Sequence, residues 1–170
     1  MTAKAATLTA RSTVQMSRRA KGASRFDVAN LLFFRLYQSS NLMHRTGTRA
    51  VSDHGATTQQ WAVMGALSRG GIVETGMPVK ELMAFLAVSR QSLTLVLNRM
   101  EGIGVIERVK LPTDGRIRRI RLTRSGRATW QKMLVDIRGY YAAAIADFST
   151  EDAEQLYALL DRLTVKLKGM

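Results

Sequence analysis

The stretch "VSRQSLTLVLNRMEGIGVIERVKLPTDGRIRRIRLTRSGR", residues 88–127, changes from a helical pattern to a strand pattern near its middle. In its first half, apolar side chains recur at helical spacing between Leu93 and Met100, with polar side chains between them. Ser89 is a favoured N-cap and Gly102 is a favoured stop signal. The first half therefore predicts an amphipathic helix that begins at Ser89 and presents one polar face.

The second half of the stretch predicts a β-hairpin. Residues 105–109 and 117–122 have strand character, and a turn containing Asp114 and Gly115 is predicted to join them. In the returning strand the apolar residues share one face and the arginines share the other. Residues 109–127 contain seven basic side chains and one acidic side chain. The hairpin is therefore predicted to be anchored through its apolar face and to expose a cationic one.

Helix-starting patterns mark the other helices of the chain. They occur at Ser24, Thr57, Pro78, Thr123 and Ser149. The resulting order is a long helix, a helix, a short helix, a helix, the hairpin, a long helix and a final helix. This is the order of a winged helix-turn-helix. The predicted fold class is therefore mainly α with a small β-hairpin wing.

The charge of the chain favours a polyanionic partner. Its 26 lysines and arginines outnumber its 13 acidic residues and give a net charge of +13 at pH 7. This balance favours nucleic acid over a membrane surface. No run of about 18 apolar residues occurs, so no membrane-spanning segment is predicted. The lack of cysteine excludes disulfides and cysteine-ligated zinc and is consistent with a reducing cytoplasm.

Catalytic and metal-binding patterns are absent from the sequence. The chain has two histidines, and no HExxH, GxSxG or P-loop motif occurs. His44 and His54 lie ten residues apart without an obvious set of acidic partners, so no zinc site is expected. The sequence thus predicts a protein that is not an enzyme and uses no metal or cofactor.

Residues 88–127 closely resemble the MarR family of bacterial transcription regulators. The resemblance is carried by the ends of the helix, the lead into the hairpin, the hairpin turn and the start of the next helix, namely Ser89, Asn98-Arg99-Met100-Glu101, Gly104-Val105-Ile106-Glu107-Arg108, Asp114-x-Arg116 and Leu122-Thr123-x-x-Gly126. The helix order agrees with the family from about residue 27 to residue 168. The resemblance implies a regulator that binds double-stranded DNA in the bacterial cytoplasm and is nucleoid-associated through that DNA.

The resemblance also implies a division of the chain. A single domain is expected at residues 26–170, with a DNA-binding lobe at 57–123 and dimerisation helices at 26–50 and 124–170. Residues 1–25 fall outside the resemblance and carry six basic groups and no acid. This composition predicts a disordered arm that adds phosphate contacts, although it also resembles an organellar transit peptide.

The candidate DNA contacts lie on the outward face of the predicted helix and on the hairpin. Gln, Asn and Arg side chains bond purine edges in the major groove, while Ser hydroxyls and a helix N-terminus suit phosphates. The resemblance implies that Asp114 holds Arg116 in a pose that enters the minor groove, whose negative potential attracts arginine. The predicted set is Ser89, Arg90, Gln91, Ser92, Thr94, Asn98, Asp114, Arg116, Arg118 and Arg119.

Two positions of the predicted recognition helix depart from the family pattern. Leu95 stands where an arginine is common, and leucine is able to contact a thymine methyl but not to pair with guanine or phosphate. Asn98 replaces a common aspartate.

A homodimer is implied by the resemblance and by physical argument. Two recognition helices about one turn of DNA apart multiply affinity and require a palindromic operator. The interface is expected between the N-terminal helix and the last two helices. The apolar residues of the N-terminal helix are too many for one stripe, which predicts burial on more than one side. They are Phe26, Leu31, Leu32, Phe33, Phe34 and Leu36, and they are expected to pack against the leucines of residues 156–167.

The resemblance implies that the effector is a small aromatic carboxylate, bound between the dimerisation helices and the DNA-binding lobe. Such an acid needs apolar walls and one cation, for which Trp61 with His44 or Arg49 is suited. The predicted set is Tyr37, Asn41, His44, Arg45, Arg49, Gln60, Trp61 and Met64. The expected function is a repressor of aromatic-compound catabolic genes that this effector releases from DNA.

Two alternatives stay open at the level of sequence. One is an activator or a ligand-independent regulator of the same fold. The other is a non-specific basic architectural or RNA-binding protein. The second has little support, because only 6% of the residues are aromatic and the basic hairpin has no aromatic residue on which bases stack.

Overall fold

The computed structural model describes residues 24–111 and 114–170, apart from the side chains of residues 111 and 114–117. Most of the arm predicted at residues 1–25 therefore lies outside the described residues. The chain divides into two compact units, of which the first ends at His44 and the second runs from Arg45 to Met170.

The described residues form seven α-helices and three strands. The helices are α1 (Arg25–Ala50), α2 (Thr58–Leu67), α3 (Ile72–Thr75), α4 (Val79–Leu86), α5 (Arg90–Gly102), α6 (Arg124–Ala144) and α7 (Thr150–Lys168), and a 3-10 turn follows α1 at Ser52–His54. The strands are β1 (Met77–Pro78), β2 (Ile106–Leu111) and β3 (Asp114–Leu122), which form an antiparallel sheet in the order β1-β3-β2. This arrangement confirms the predicted mainly helical fold with a small wing.

Side-chain caps begin the helices where the sequence predicted them. Thr57 and Gln60 form a reciprocal capping box at α2, with Thr57 N donating to Gln60 Oε1 at 2.9 Å. Ser149 and Asp152 form the same motif at α7. Ser89 and Thr123 accept hydrogen bonds from the backbone at the starts of α5 and α6. Each such cap contributes about 1 kcal/mol, because it satisfies an otherwise unpaired amide.

The hairpin is present, but its turn differs from the prediction. Asp114 and Gly115 belong to β3, and Asp114 pairs with Leu111 of β2. A register shift occurs between Lys110 and Leu111. The ladder therefore extends to Asp114, so the Asp-Gly pair lies within the strand.

Strand β1 and helix α3 were not predicted. Strand β1 has two residues, with Met77 opposite Ile120, and is too short to show an alternating pattern. Pro78, predicted to lie in the first turn of a helix, is instead the N-cap of α4 and part of β1. Gly76 precedes β1 with a φ of 71°, and a Cβ there would lie 2.8 Å from the carbonyl oxygen of Ile120. Glycine is therefore required for β1 to reach β3.

The second unit contains the hydrophobic core. Side chains from α2, α5, α6 and the sheet meet there, so the core fixes how α5 and the hairpin are presented. The buried apolar residues are Val51, Trp61, Val63, Met64, Ala66, Leu67, Met77, Leu82, Leu93, Leu97, Met100, Ile106, Ile120, Leu122, Met133 and Ile137.

Large apolar side chains of α1 and α7 are exposed in the single chain. On α1, Phe26 is 77% and Phe34 63% exposed, so the predicted burial on several sides is not met within one chain. On α7, Leu156 and Leu167 are similarly exposed. Apolar faces of this kind mark interaction surfaces. No helix of the described residues has the length and hydropathy needed to cross a membrane.

Candidate functional site

One face of α5 is buried and the opposite face is exposed. Leu93 and Leu97 are each 2% exposed and Met100 is fully buried, so these side chains set the rotation of the helix about its axis. The opposite face points to solvent, as the periodicity predicted. Its residues are Gln91, Thr94, Leu95 and Asn98.

The start of α5 collects the predicted phosphate-binding groups. Ser89 Oγ accepts from Ser92 N at 3.2 Å and donates to Ser92 Oγ at 3.0 Å. Arg90 and Gln91 follow directly and are exposed. Thr94 Oγ1 donates to the Arg90 carbonyl oxygen at 2.7 Å, so the Thr94 hydroxyl proton is used within the helix. The N-terminus of a helix attracts anions through its unpaired amides.

Asn98 links the end of α5 to the hairpin. Its Oδ1 accepts from Arg108 Nη2 at 2.7 Å, and Arg108 Nε lies 3.3 Å from Glu101 Oε2. The sequence signal for this link was the family motif that contains Asn98, Glu101 and Arg108, but the pairing among them was not predicted. Asparagine at this position thus accepts a hydrogen bond from the strand that leads into the wing.

Two adjacent arginines of β3 are placed differently. Arg118 is exposed, as expected for a DNA contact. Arg119 is half-buried and donates from Nε to the carbonyl oxygens of Thr75 and Gly76 at 3.0 and 3.2 Å, and from Nη2 to Gly76 at 3.0 Å. These hydrogen bonds give Arg119 a role in holding the segment before β1, and the phosphate contact predicted for it stays a prediction. The physical reason is that these carbonyls need a donor and the guanidinium reaches them.

Arg121 has a comparable structural role. Its Nε and Nη2 donate to Glu107 Oε1 at 3.0 and 2.7 Å, and its Nη1 donates to the Glu74 carbonyl oxygen at 3.3 Å. The expected alternation is present, because Ile120 and Leu122 are buried on one face of β3, but Arg119 and Arg121 on the other face are half-buried and hydrogen-bonded within the protein. Both side chains join β3 to residues 74–76 through hydrogen bonds.

Asp114 and Arg116 lie at the start of β3. Their side chains fall outside the description, so the predicted hold of Asp114 on Arg116 stays a prediction. Their backbone position, beside the register shift at Lys110 and Leu111, is at the tip of the hairpin.

Three aromatic rings of the second unit form a cluster, named here the aromatic cluster: Trp61, Tyr140 and Tyr141. The Trp61 centroid lies 5.7 Å from that of Tyr140, edge to face, and 5.5 Å from that of Tyr141. The hydroxyls of Tyr140 and Thr46 are hydrogen-bonded at 3.0 Å. A Cβ on Gly47 would lie 3.1 Å from the Trp61 ring, so the backbone of α1 approaches the indole closely.

The rings of the aromatic cluster differ in exposure. Trp61 is 8% exposed and belongs to the core, whereas Tyr141 is 52% exposed. Partial burial, and secondarily the neighbouring Tyr140, raise the pKa of Tyr141 above its ordinary value of 10.0. Tyr141 is therefore a neutral phenol at physiological pH. Neither tyrosine was predicted as a site residue, because no local pattern joins α6 to α2.

The other predicted effector residues are distributed over both units. Tyr37, Asn41 and His44 are on exposed positions of α1 in the first unit, and Arg45 and Arg49 are exposed on α1 in the second. Met64 is 2% exposed, and the amide oxygen of Gln60 is used in the α2 capping box.

A small, open depression borders Gln60 and Met64 in the second unit. Met100 and Ile103 at the end of α5 also line it, together with His54. His54 Nε2 lies 2.6 Å from Asp136 Oδ2, so the loop after α1 is joined to α6. Across residues 24–111 and 114–170 no group of three or more potential metal ligands occurs.

Known proteins are similar to this chain in sequence. A model of the MarR family matches residues 54–117. The transcriptional activatory protein BadR of Rhodopseudomonas palustris is 44% identical over 148 residues, which are 86% of this chain and 84% of BadR. The homoprotocatechuate degradative operon repressor of Escherichia coli is 32% identical over 111 residues, which are 65% of this chain and 72% of the repressor.

A solved structure is similar as well. The M. tuberculosis transcriptional regulator MosR, in complex with DNA, superposes with a TM-score of 0.68 at 25% identity, covering 80% of this chain and 95% of MosR. The family match includes α2, α5 and most of the hairpin, so it covers the exposed face of α5 described above. The chain belongs to the MarR family, whose members are DNA-binding transcription regulators and not enzymes.

Proposed function

We propose that this chain is a homodimeric regulator of genes for the breakdown of aromatic compounds, and that a small aromatic carboxylate changes its affinity for a palindromic operator. The outward face of α5 carries the DNA part of this proposal. The buried leucines and Met100 hold that face outward, so Arg90, Gln91 and Asn98 are presented together. These side chains bond base edges and phosphates.

The hairpin is proposed to add contacts beside α5. Arg118 is exposed and suits a phosphate. Arg116, oriented by Asp114, is proposed to enter the minor groove, where the negative potential is deepest when the groove is narrow. A net charge of +13 for each chain is consistent with extensive phosphate neutralisation.

The dimer is supported by the exposed apolar residues of α1 and α7. Phe26 and Phe34 on α1, and Leu156 and Leu167 on α7, would be unfavourable in water if no partner covered them. A second copy of the chain is the proposed partner. Two-fold symmetry would then place two α5 helices on a palindromic site.

The aromatic cluster supports an aromatic effector. Tyr141 offers a partly exposed ring over Trp61, and aromatic rings associate favourably in tilted or edge-to-face arrangements. Arg45 and Arg49 are exposed cations suited to a carboxylate. The name of the E. coli relative refers to homoprotocatechuate, an aromatic acid.

The direction of regulation is a separate part of the proposal. The predicted mode is repression relieved by the effector, and the 32% identical E. coli relative is named a repressor. Activation is the second candidate, because the 44% identical relative is named an activatory protein. A reporter driven by the bound promoter, with and without the chain, distinguishes the two by the sign of the change.

Gel-shift binding tests the proposal directly. The probe is the DNA upstream of the chain's own gene, with excess competitor DNA and with or without hydroxylated benzoates and phenylacetates. A specific shift that one acid changes is the expected result. A specific shift that no acid changes would contradict the effector part, and binding lost entirely to competitor would favour a non-specific architectural protein.

Tyr141→Leu tests the aromatic cluster in the same assay. The concentration of acid needed for half of the response should rise about two- to tenfold, the range expected for one aromatic pair. Affinity for DNA without the acid should be unchanged, since Tyr141 is on α6 and half exposed. Tyr157→Leu, which removes an exposed ring from α7, is the matched control. An unchanged response in Tyr141→Leu would remove this cluster from the effector site.

A further inference from the structure

We propose that Leu95 reads the C5-methyl group of a thymine in each half of the operator. The inference rests on the proposed function, in which α5 enters the major groove. It adds an apolar element to recognition that the hydrogen-bonding residues of α5 do not supply. The thymine methyl is the apolar feature that base pairs display in the major groove.

Leu95 occupies the centre of the outward stripe of α5. Gln91, Leu95 and Asn98 are separated by four and three residues, so they share one face of the helix. Leu95 is 63% exposed, and it is the one large apolar side chain of α5 with such exposure. A duplex that is contacted by both Gln91 and Asn98 therefore also meets Leu95.

Polar atoms beside Leu95 are turned toward the protein. The Thr94 hydroxyl donates to the Arg90 carbonyl oxygen at 2.7 Å. The Asn98 oxygen accepts from Arg108 at 2.7 Å. These bonds reduce the hydrogen-bonding capacity next to Leu95, whose side chain is itself exposed. An apolar group on the DNA is the complementary partner.

The charge around Leu95 favours DNA over a protein partner. Arg90 and Arg99 on α5, and Lys110 and Arg118 on the hairpin, are exposed. The acid of α5, Glu101, is paired with Arg108. A surface of this kind is complementary to phosphates, whereas the centres of protein interfaces are depleted in charge.

Replacement of thymine by uracil tests the contact, because it removes the methyl group and keeps the hydrogen bonds of the base pair. The probe is a duplex enriched by the full-length wild-type chain from a random-sequence library, with its thymines replaced one at a time. One thymine per half-site should give about fourfold weaker binding when replaced, the factor expected for burial of one methyl-sized group. Because Leu95→Ala removes the contact in both half-sites of the dimer, it should bind the thymine duplex about 16-fold more weakly, the product of two fourfold losses, and show no further loss on uracil.

Ile103→Ala is the matched control. Ile103 is also 63% exposed but lies just beyond α5 and off the stripe, so this variant should keep the full difference between thymine and uracil. The inference is overturned if no replacement weakens the wild type, or if Leu95→Ala keeps the loss. Failure to enrich any sequence over competitor would overturn the proposed function itself, and this outcome is distinguishable from the other two.

Discussion

At the scale of single residues, the neighbouring arginines Arg118 and Arg119 have different structural environments. Arg118 and Arg119 follow one another in β3, and the sequence predicted both as phosphate contacts. Arg119 instead donates to the carbonyls of Thr75 and Gly76, which lie 44 and 43 residues away. An arginine is able to satisfy several acceptors at once because its guanidinium carries five donors. Arg119 is thus a positioning residue for the wing.

The salt dependence of DNA binding should separate these two arginines. Arg118→Ala should reduce the steepness of log affinity against log salt concentration by about 2, since each protomer of the proposed dimer loses one phosphate contact. Arg119→Ala should weaken binding and lower the melting temperature but keep the wild-type slope. Titrations at several salt concentrations, with thermal melts, provide the measurement. A lower slope in Arg119→Ala would mean that its guanidinium contacts phosphate.

At the scale of elements, the junction between α6 and the strand β2 depends on a close backbone approach. Thr123 N donates to the Val105 carbonyl oxygen at 3.1 Å, and a Cβ on Gly126 would overlap that same carbonyl. The glycine therefore allows α6 to begin directly against the segment that leads into the hairpin. This junction sets the hairpin relative to the core, since α6 is anchored by Met133 and Ile137.

Replacement of two glycines of α6 by alanine should change the free energy of unfolding in opposite directions. Gly126→Ala should reduce the free energy of unfolding by about 1–3 kcal/mol, because a buried methyl meets backbone that is unable to move aside. Gly139→Ala should increase it by about 0.5–1 kcal/mol, because nothing lies near its Cβ and alanine favours the helix. Urea unfolding of both variants checks this. Equal effects would contradict the close approach at Gly126.

The Ser149–Asp152 cap of α7 should make the stability of the folded chain depend on pH in the acid range. The hydrogen bonds from the Ser149 hydroxyl and backbone hold the pKa of Asp152 below its ordinary value of 3.8. The folded state thus binds this proton more weakly than the unfolded state. The stabilisation is present above the unfolded pKa and is lost as pH falls through the folded one.

The stability of the wild type and of Asp152→Asn, measured at several pH values, provides the check. The wild type should be more stable than the variant at pH 7, and the difference should shrink as pH falls below about 4. Both chains are compared by urea unfolding at matched salt. A difference that is constant from pH 7 to pH 2 would show that the carboxylate charge is not what stabilises the cap.

At the scale of the whole molecule, the buried core is confined to the second unit. The long helix α1 contributes few buried side chains, and α7 exposes several leucines. Association of two copies is the physical solution that we propose for these apolar faces. The functional molecule is then the dimer, because one copy would carry only one of the two α5 helices that a palindromic site requires.

Phe34→Asp should separate association from folding. A charge on the exposed face of α1 should give a monomer by analytical ultracentrifugation and should weaken operator binding at least tenfold, about 1.4 kcal/mol or more. The circular dichroism spectrum should stay helical, since Phe34 is 63% exposed in one chain. Ile103→Asp changes an equally exposed residue that belongs to neither α1 nor α7 and is the control. A dimeric Phe34→Asp would exclude this face of α1 from the interface.

What the sequence determined by itself is the local structure and the family. Three signals depend on only a few neighbouring residues: the capping residues, the periodicity of α5 and the strand pattern of the hairpin. They were therefore predictable without knowledge of the fold. The same is true of the outward stripe of α5 and of the family motifs between Ser89 and Gly126.

Only the tertiary structure determined which residues that are remote in sequence contact one another. Strand β1 exists because β3 provides its partner, and the aromatic cluster joins Trp61 to rings about 80 residues further along the chain. Arg119 donates to the carbonyl oxygens of Thr75 and Gly76 because the fold places them within its reach. Such pairings depend on packing between segments that are remote in sequence. Local preference carries no information about them, and the physical requirement to satisfy buried polar groups selects the partner.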